Sequence, residues 1–433
     1  MKLQSLIALI FAAAIGTAQP TPAPANNQKI LILNGTCHVG TGKVIKKSAI
    51  GIDGDEIVMV KDALALTIDT TGYDEIIDAT GHHVYPGFIA ANSTLGLADI
   101  DAVRANRDYR EVGTYNPHVR SIIAYNTDSD ITPTVRTNGI LMGQITPRGG
   151  RISGSSSIVQ FDAWNWEDAV IKMDDGIHLN WPRAIQQTGW WAEPGPAKKS
   201  EKYEEQVKEV EQFFKEAKAY AEAKDHGEID LRMKAMEGLF DGSKTLFIHA
   251  SLYREINDLL NLKKKFDLEK VVIVGGYDAH LHAKRISSEN VSVVLQRVHS
   301  LPERSQEDIY LPYKMAAILH DANVKFCLEG AGDMERMNTR NLPFYAGTAV
   351  AHGLPYEDAV RSITLSVAEI LGLDKDYGSI EKGKKATLFI SKGDALDITS
   401  NDVSYAFIDG RKIDLNNHQK ENYEKYKAKY ELK

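Results

Sequence analysis

VYPGFIAANSTLGL, residues 84–97, is the stretch from which the fold is read. The apolar run 83–90 enters through Pro86-Gly87, a pair that punctuates a chain between elements rather than continuing a helix. Residues 83–90 therefore read as an apolar strand. Asn92, Ser93 and Thr94 follow at its end. Polar groups at the end of such a strand form a site only if neighbouring strands end beside it, so the surrounding pattern matters.

Outward from this stretch, strands and helices alternate. Residues 139–147 and 156–162 are strand-like, and 201–224 has helical period with i,i+4 charge pairs. TLFIHAS (245–251), KVVIVGG (270–276), VSVVLQRV (291–298) and NVKFCLEG (323–330) read as buried strands. Helical segments separate them at 252–265, 278–288 and 311–321, and an amphipathic helix follows at 355–373. Such βα alternation predicts a parallel sheet or barrel. Short strands flank it on both sides: 29–39, 48–60 and 75–80 before, and 403–413 after. The tail from Asn416 is charged and helical.

The N-terminus has its own character. Lys2, an apolar run from Leu6 to Ile15 and small residues ending at Ala18 predict a secretory signal peptide over 1–18. The run is too short to span a bilayer, and no later segment is long and apolar enough. The chain is thus expected to be exported, periplasmic or secreted, with PTPAPANN (20–27) as an extended, mobile linker. Its 433 residues are 43% hydrophobic and 25% charged, an ordinary globular composition. The net charge is −8 with no basic stripe, which argues against a nucleic-acid partner. Cys37 and Cys327 lack metal-type spacing and read as two separate buried thiols.

Three stretches together resemble the amidohydrolase superfamily, most closely its imidazolonepropionase-type members. They are IIDATGHHVYPGFIAANSTLGL, the long segment 341–390 that ends in GSIEKGKKATLFI, and VSYAFIDGRKI. The resemblance implies an α/β fold: a (β/α)8 TIM-like barrel plus a small β-sandwich formed by N- and C-terminal strands. The expected divisions are signal peptide 1–18, linker 19–28, sandwich 29–84, barrel 85–375, sandwich 376–415 and charged helical tail 416–433. It also implies hydrolysis of a C–N bond by one or two metal ions that activate water and polarise a carbonyl.

The metal ligands that the resemblance implies are mostly missing. Asn92 and Thr94 stand at the His-x-His positions after the first strand, and an amide and a hydroxyl are poor zinc ligands. Gly275 stands where the sixth strand calls for a His. Gly330 or Ala331 stands near the expected Asp, with Glu329 and Asp333 close by. Only His249 matches a ligand position, and Lys172 is a weak candidate for the fourth strand. One imidazole does not hold a catalytic zinc. At most one divalent metal such as zinc is expected, not a binuclear centre.

Other residues complete the candidate site. Glu329 and Asp333 are the candidate catalytic acid or base, with Glu335 nearby. Asn92, Thr94, Arg120, Tyr125 and His299 are candidate substrate-binding residues, and His249 is the candidate metal ligand. His280 and His282 form a His-x-His pair on a predicted helix, where i and i+2 diverge. The glycine-rich TPRGGRISGSSS (146–157) could bind an anion through backbone N–H groups, although tight connections look the same. WNWED and GWW could form a lid, an interface or packing beneath an insertion.

Two readings of function result. One is an exported hydrolase of amide or cyclic amide C–N bonds in a small molecule or modified peptide. The other is a catalytically inactive relative that binds a small molecule or a partner. Barrels of this class often self-associate, and no residue pattern here fixes a homo-oligomer. The leader reading has a direct check: intact-mass analysis of the exported protein should give a chain beginning at Gln19, and retention of Met1–Ala18 would refute it.

Overall fold

The computed structural model describes residues 21–431 apart from 66, 191, 224, 226 and 332–334. The expected signal peptide and Asp333 lie outside the described residues. Eight strands form one sheet: β1 (Phe88–Ser93), β2 (Ile140–Ile145), β3 (Ile152–Gln160), β4 (Val170–Asn180), β5 (Thr245–Ala250), β6 (Val271–Gly275), β7 (Ser292–Leu295) and β8 (Phe326–Leu328). They pair in chain order. A parallel bridge between Ala91 and Glu329 then brings the first strand against the last, so the sheet nearly closes into a barrel. Runs such as VVIVG form these strands because β-branched side chains suit a sheet buried on both faces.

The alternation expected from the sequence breaks in the first half. β3 runs antiparallel to both β2 and β4, whereas β1–β2 and β4 through β8 pair in parallel. The reason is connection length. Residues 146–151 and 161–169 are all that join these strands, and a parallel crossover needs about a dozen or more. The strand therefore turns back on its neighbour.

The helices at Tyr203–Glu222, Tyr253–Phe266 and Leu311–Asp321 lie where the periodicity puts them. The first buries Val210, Phe213, Phe214 and Ala217 on one stripe. The single helix expected over 355–373 is two, Tyr356–Ser362 and Leu365–Leu371. The Ile363 carbonyl between them accepts from Ile89 N–H of β1 at 2.9 Å, and the Thr364 hydroxyl bonds back to the Val360 carbonyl. Both bonds compete with the helical ladder.

Two further sheets flank the barrel. One holds Glu56–Asp62, Ser48–Asp53, Lys29–Leu33 and Glu75–Asp78 in that order. The other mixes the chain ends: Leu388–Ser391 pairs antiparallel with His83–Pro86, which pairs in parallel with Thr36–His38. The sheets share an apolar core containing Ile30, Ile50, Val84, Leu388 and Phe407. Residues 21–27 have no regular structure, yet Ala23 N–H donates to Asp162 and its carbonyl accepts from Arg411. Cys37 and Cys327 are buried and unbridged. No helix among the described residues is long and apolar enough to cross a membrane.

His83–Pro86 runs directly into β1, so sheet and barrel share a seam. Tyr85, Phe88 and Phe389 fill it, with Phe389 stacked on Tyr85 at 5.3 Å and edge-on to Phe88 at 4.8 Å. Phe88→Ala should cost roughly 3–5 kcal/mol. Chemical denaturation followed by CD should show a lower midpoint for the whole molecule, and an unchanged midpoint would mean that the seam is not a shared core.

Candidate active site at the barrel mouth

Parallel strands end on the same rim, so their C-terminal residues converge there. Asn92 comes from the end of β1, Asn180 from β4, His249 from β5, Gly275 from β6 and Glu329 from just beyond β8. All line one cavity of about 800 Å³. Arg148, Arg183 and Arg304 reach it from the loops, and Glu255 from the first turn of the helix Tyr253–Phe266.

Asn92 ties this rim together. Its φ of 49° is left-handed, a conformation that asparagine tolerates better than most residues. The side-chain amide donates to Glu329 Oε2 at 2.5 Å, and the backbone N–H donates to Gln144 Oε1 at 3.2 Å. Its carbonyl accepts from Arg148 Nη2 at 2.8 Å, and the same nitrogen meets Glu335 at 3.0 Å. The Asn92 Oδ1 atom is buried without a partner. Glu329 is 4% exposed. Burial pushes its carboxyl up to about 8, against the Asn92 hydrogen bond and the charge of Arg148, which pull it down. At neutral pH it keeps its proton.

His249 faces the cavity from β5, and its Nε2 lies 2.9 Å from Nδ1 of His178. Burial, with help from Arg148, pushes the His249 imidazole down to about 3, so it is neutral. His178 is buried, also lowered well below its ordinary value by burial, and stacked on Phe247. Its Nε2 lies 2.9 Å from the Ser156 hydroxyl. Ser156 donates to Asp175 at 2.7 Å, and Gln144 donates to the other carboxylate oxygen at 2.9 Å. His178 was not among the residues singled out in the sequence. A signal was present: in GIHLN the period of two puts Gly176, His178 and Asn180 on one face of β4.

This set does not fit the two-metal group that the resemblance implies. Among the described residues no three His, Cys, Asp or Glu side chains are placed to hold a cation. The two imidazoles are hydrogen-bonded to each other, and Glu329 is bonded to an amide. Gly275 has a φ of 97°, so its backbone resists the side chain that a ligand would require.

Other sequence candidates lie elsewhere. Thr94 is buried with its hydroxyl unpartnered and does not line the cavity. Arg120 pairs with Asp174 at 2.7 Å. Tyr125 is buried against Gly96, where burial pushes its phenol up. His299 bonds the Thr348 hydroxyl at 2.7 Å and meets Tyr345 edge-on. None of these three lines the cavity. Lys172 donates to the Leu371 carbonyl at 2.7 Å. His280 and His282 bond the carbonyls of Tyr277 and Tyr253. In the glycine-rich segment Arg148 is already paired with Glu335, and Arg151 donates to the Asn180 carbonyl. Arg183, Glu255 and Arg304 went unnoticed because isolated charged residues on loops or in a helix's first turn carry no pattern.

Comparison with known proteins agrees with the fold. Residues 214–413 match the Amidohydrolase family. A 5'-deoxyadenosine deaminase of Methanobrevibacter smithii is 22% identical over 373 residues, 79% of each chain. An amidohydrolase from Thermotoga maritima MSB8 superposes with a TM-score of 0.76 at 22% identity, over 89% of this chain and 99% of that one. A Xaa-Pro dipeptidase with bound methionine gives 0.56 at 16% identity, over 89% and 100%. Residues 214–413 thus resemble the Amidohydrolase family, and the described residues share the fold of the Thermotoga maritima amidohydrolase.

Proposed function

We propose that the barrel mouth binds a small polar molecule bearing an amide, cyclic amide or urea-like group, and does so without a two-metal centre. One observation carries this reading: the groups nearest to ligand positions are paired with each other, Asn92 with Glu329 and His178 with His249. The wall also offers complementary groups, with a protonated Glu329 as donor and the Asn180 amide oxygen as acceptor, its nitrogen already donating to Gly149, Gly150 and Ser153. The imidazolonepropionase-type stretches at both ends of the chain support a cyclic amide. The leader-like first 18 residues support export.

A second reading, hydrolysis of that C–N bond, is favoured by Glu329. A carboxyl that holds its proton at neutral pH can pass it to a departing nitrogen. The deaminase among the relatives and the hydrolases among the structural neighbours support this reading.

Elemental analysis of chelator-free protein, beside His249→Ala, tests the first reading. The expected result is no stoichiometric metal in either sample and a rise in melting temperature with lactams or ureas. About one equivalent of metal, lost in the variant, would overturn it. Turnover abolished by Glu329→Gln, with the fold intact, would establish the second.

Glu329 also sets a pH dependence. It stays protonated in the folded state and ionises in the unfolded chain between its ordinary value of 4.5 and about 8. The folded state then holds the extra proton, so stability falls as pH rises through that window. Glu329→Gln removes this loss. Its stability relative to wild type should climb on the order of 4 kcal/mol from pH 4.5 to 8 in denaturation midpoints. A constant difference would refute the assignment.

A further inference from the structure

Four buried or half-buried groups lie in line behind the cavity: Asp175, Ser156, His178 and His249, joined by contacts of 2.7, 2.9 and 2.9 Å. Asp175, Ser156 and His178 are each no more than 3% exposed, while His249 opens on the cavity. The binding proposal uses the His178–His249 pair but neither Asp175 nor Ser156. Their hydrogen atoms are nevertheless determined by counting. The Asn92 N–H points at Gln144 Oε1, so the Gln144 amide nitrogen faces Asp175 and Ser156. Ser156 has one proton. When it donates to Asp175, it must accept from His178 Nε2–H. His178 Nδ1 is then a lone pair, which accepts from His249 Nε2–H. That leaves His249 Nδ1 without a proton.

We infer that this chain is a proton wire, through which Asp175 decides whether His249 offers the cavity a lone pair or an N–H. The transfer balances at every link. A proton arriving from the cavity binds His249 Nδ1. The Nε2 proton of His249 moves to His178 Nδ1, the Nε2 proton of His178 moves to Ser156, and the hydroxyl proton of Ser156 moves to Asp175 Oδ1. Each group ends neutral, and one proton has entered. Asp175 thus serves as the base for a proton released in the cavity, although His249 alone holds a proton poorly.

The surroundings suit the role. Burial raises the Asp175 carboxyl above the ordinary aspartate range, against the hydrogen bonds from Ser156 and Gln144 and the charge of Lys172 on the same strand. Lys244 and the Arg120–Asp174 pair are other charges nearby, and Arg148 disfavours an imidazolium at either histidine. A neutral wire is the arrangement these charges permit. Asp175 is a positioning residue and proton store; only His249 meets a ligand. A ligand N–H or O–H is then what His249 accepts, which rests on the proposed binding of an amide in this cavity.

The test reads protons directly. Histidine-selective 15N NMR of the full mature chain should show His249 as the Nε2–H tautomer at neutral pH, converting to Nδ1–H as pH falls. Asp175→Asn presents an N–H to Ser156 and should lock the Nδ1–H tautomer at every pH. Ser156→Ala should uncouple His249 from pH, and Ser156→Thr should restore the coupling. An Nδ1–H tautomer in wild type at neutral pH, or an unchanged tautomer in Asp175→Asn, overturns the wire. Wild type should also bind pyrrolidinone several-fold more tightly than N-methylpyrrolidinone, and Asp175→Asn should lose that preference. Expected tautomers without lactam binding would uphold the wire and overturn the amide reading of the cavity.

Discussion

The junction between the first and last barrel strands is the constraint on which this structure depends. An eight-stranded sheet must meet itself, and here the meeting consists of one parallel bridge at Ala91–Glu329 and one side-chain bond from Asn92 to Glu329. That short amide–carboxyl contact ties the ends of the first and last strands together. It also places the Glu329 carboxyl where water cannot solvate a negative charge. Closure of the barrel and chemistry of the mouth are therefore one arrangement.

Burial then organises the electrostatics. Glu329, His178 and His249 are all driven toward their neutral forms, and Arg148 holds the rim through a carbonyl and a carboxylate rather than as a free cation. Neutral polar groups in a low-dielectric interior need partners, and they find them in one another. A network from Glu329 through Asn92 and Gln144 to Asp175, Ser156, His178 and His249 is the result. It spans strands one, two, three, four, five and the end of eight. The antiparallel turn of β3 makes this possible, because it brings Ser156 between β2 and β4.

Much of the architecture was legible because it rests on local periodicity. The four runs at 245–251, 270–276, 291–298 and 323–330 announce buried strands, and each holds one. The segment 201–224 announces an amphipathic helix, and Tyr203–Glu222 is one. The reversal of β3 and the break near Ile363 were harder to read. The first depends on loop lengths judged against a partner strand. The second depends on a hydrogen bond to β1, more than 270 residues earlier in the chain.

The sequence by itself showed most of the strand and helix order, though not the barrel strand Val170–Asn180, together with the residues Asn92, Thr94 and Gly275 and the place of His249 at a strand end. These follow from residue type and spacing, which are properties of the chain read in one dimension. Only the tertiary structure decided which polar groups meet. It joined His178 to His249 across 71 positions and Asn92 to Glu329 across 237, and it drew Arg120, Tyr125 and His299 away from the cavity. It also turned a carboxylate into an acid, because a protonation state belongs to an environment and not to a letter.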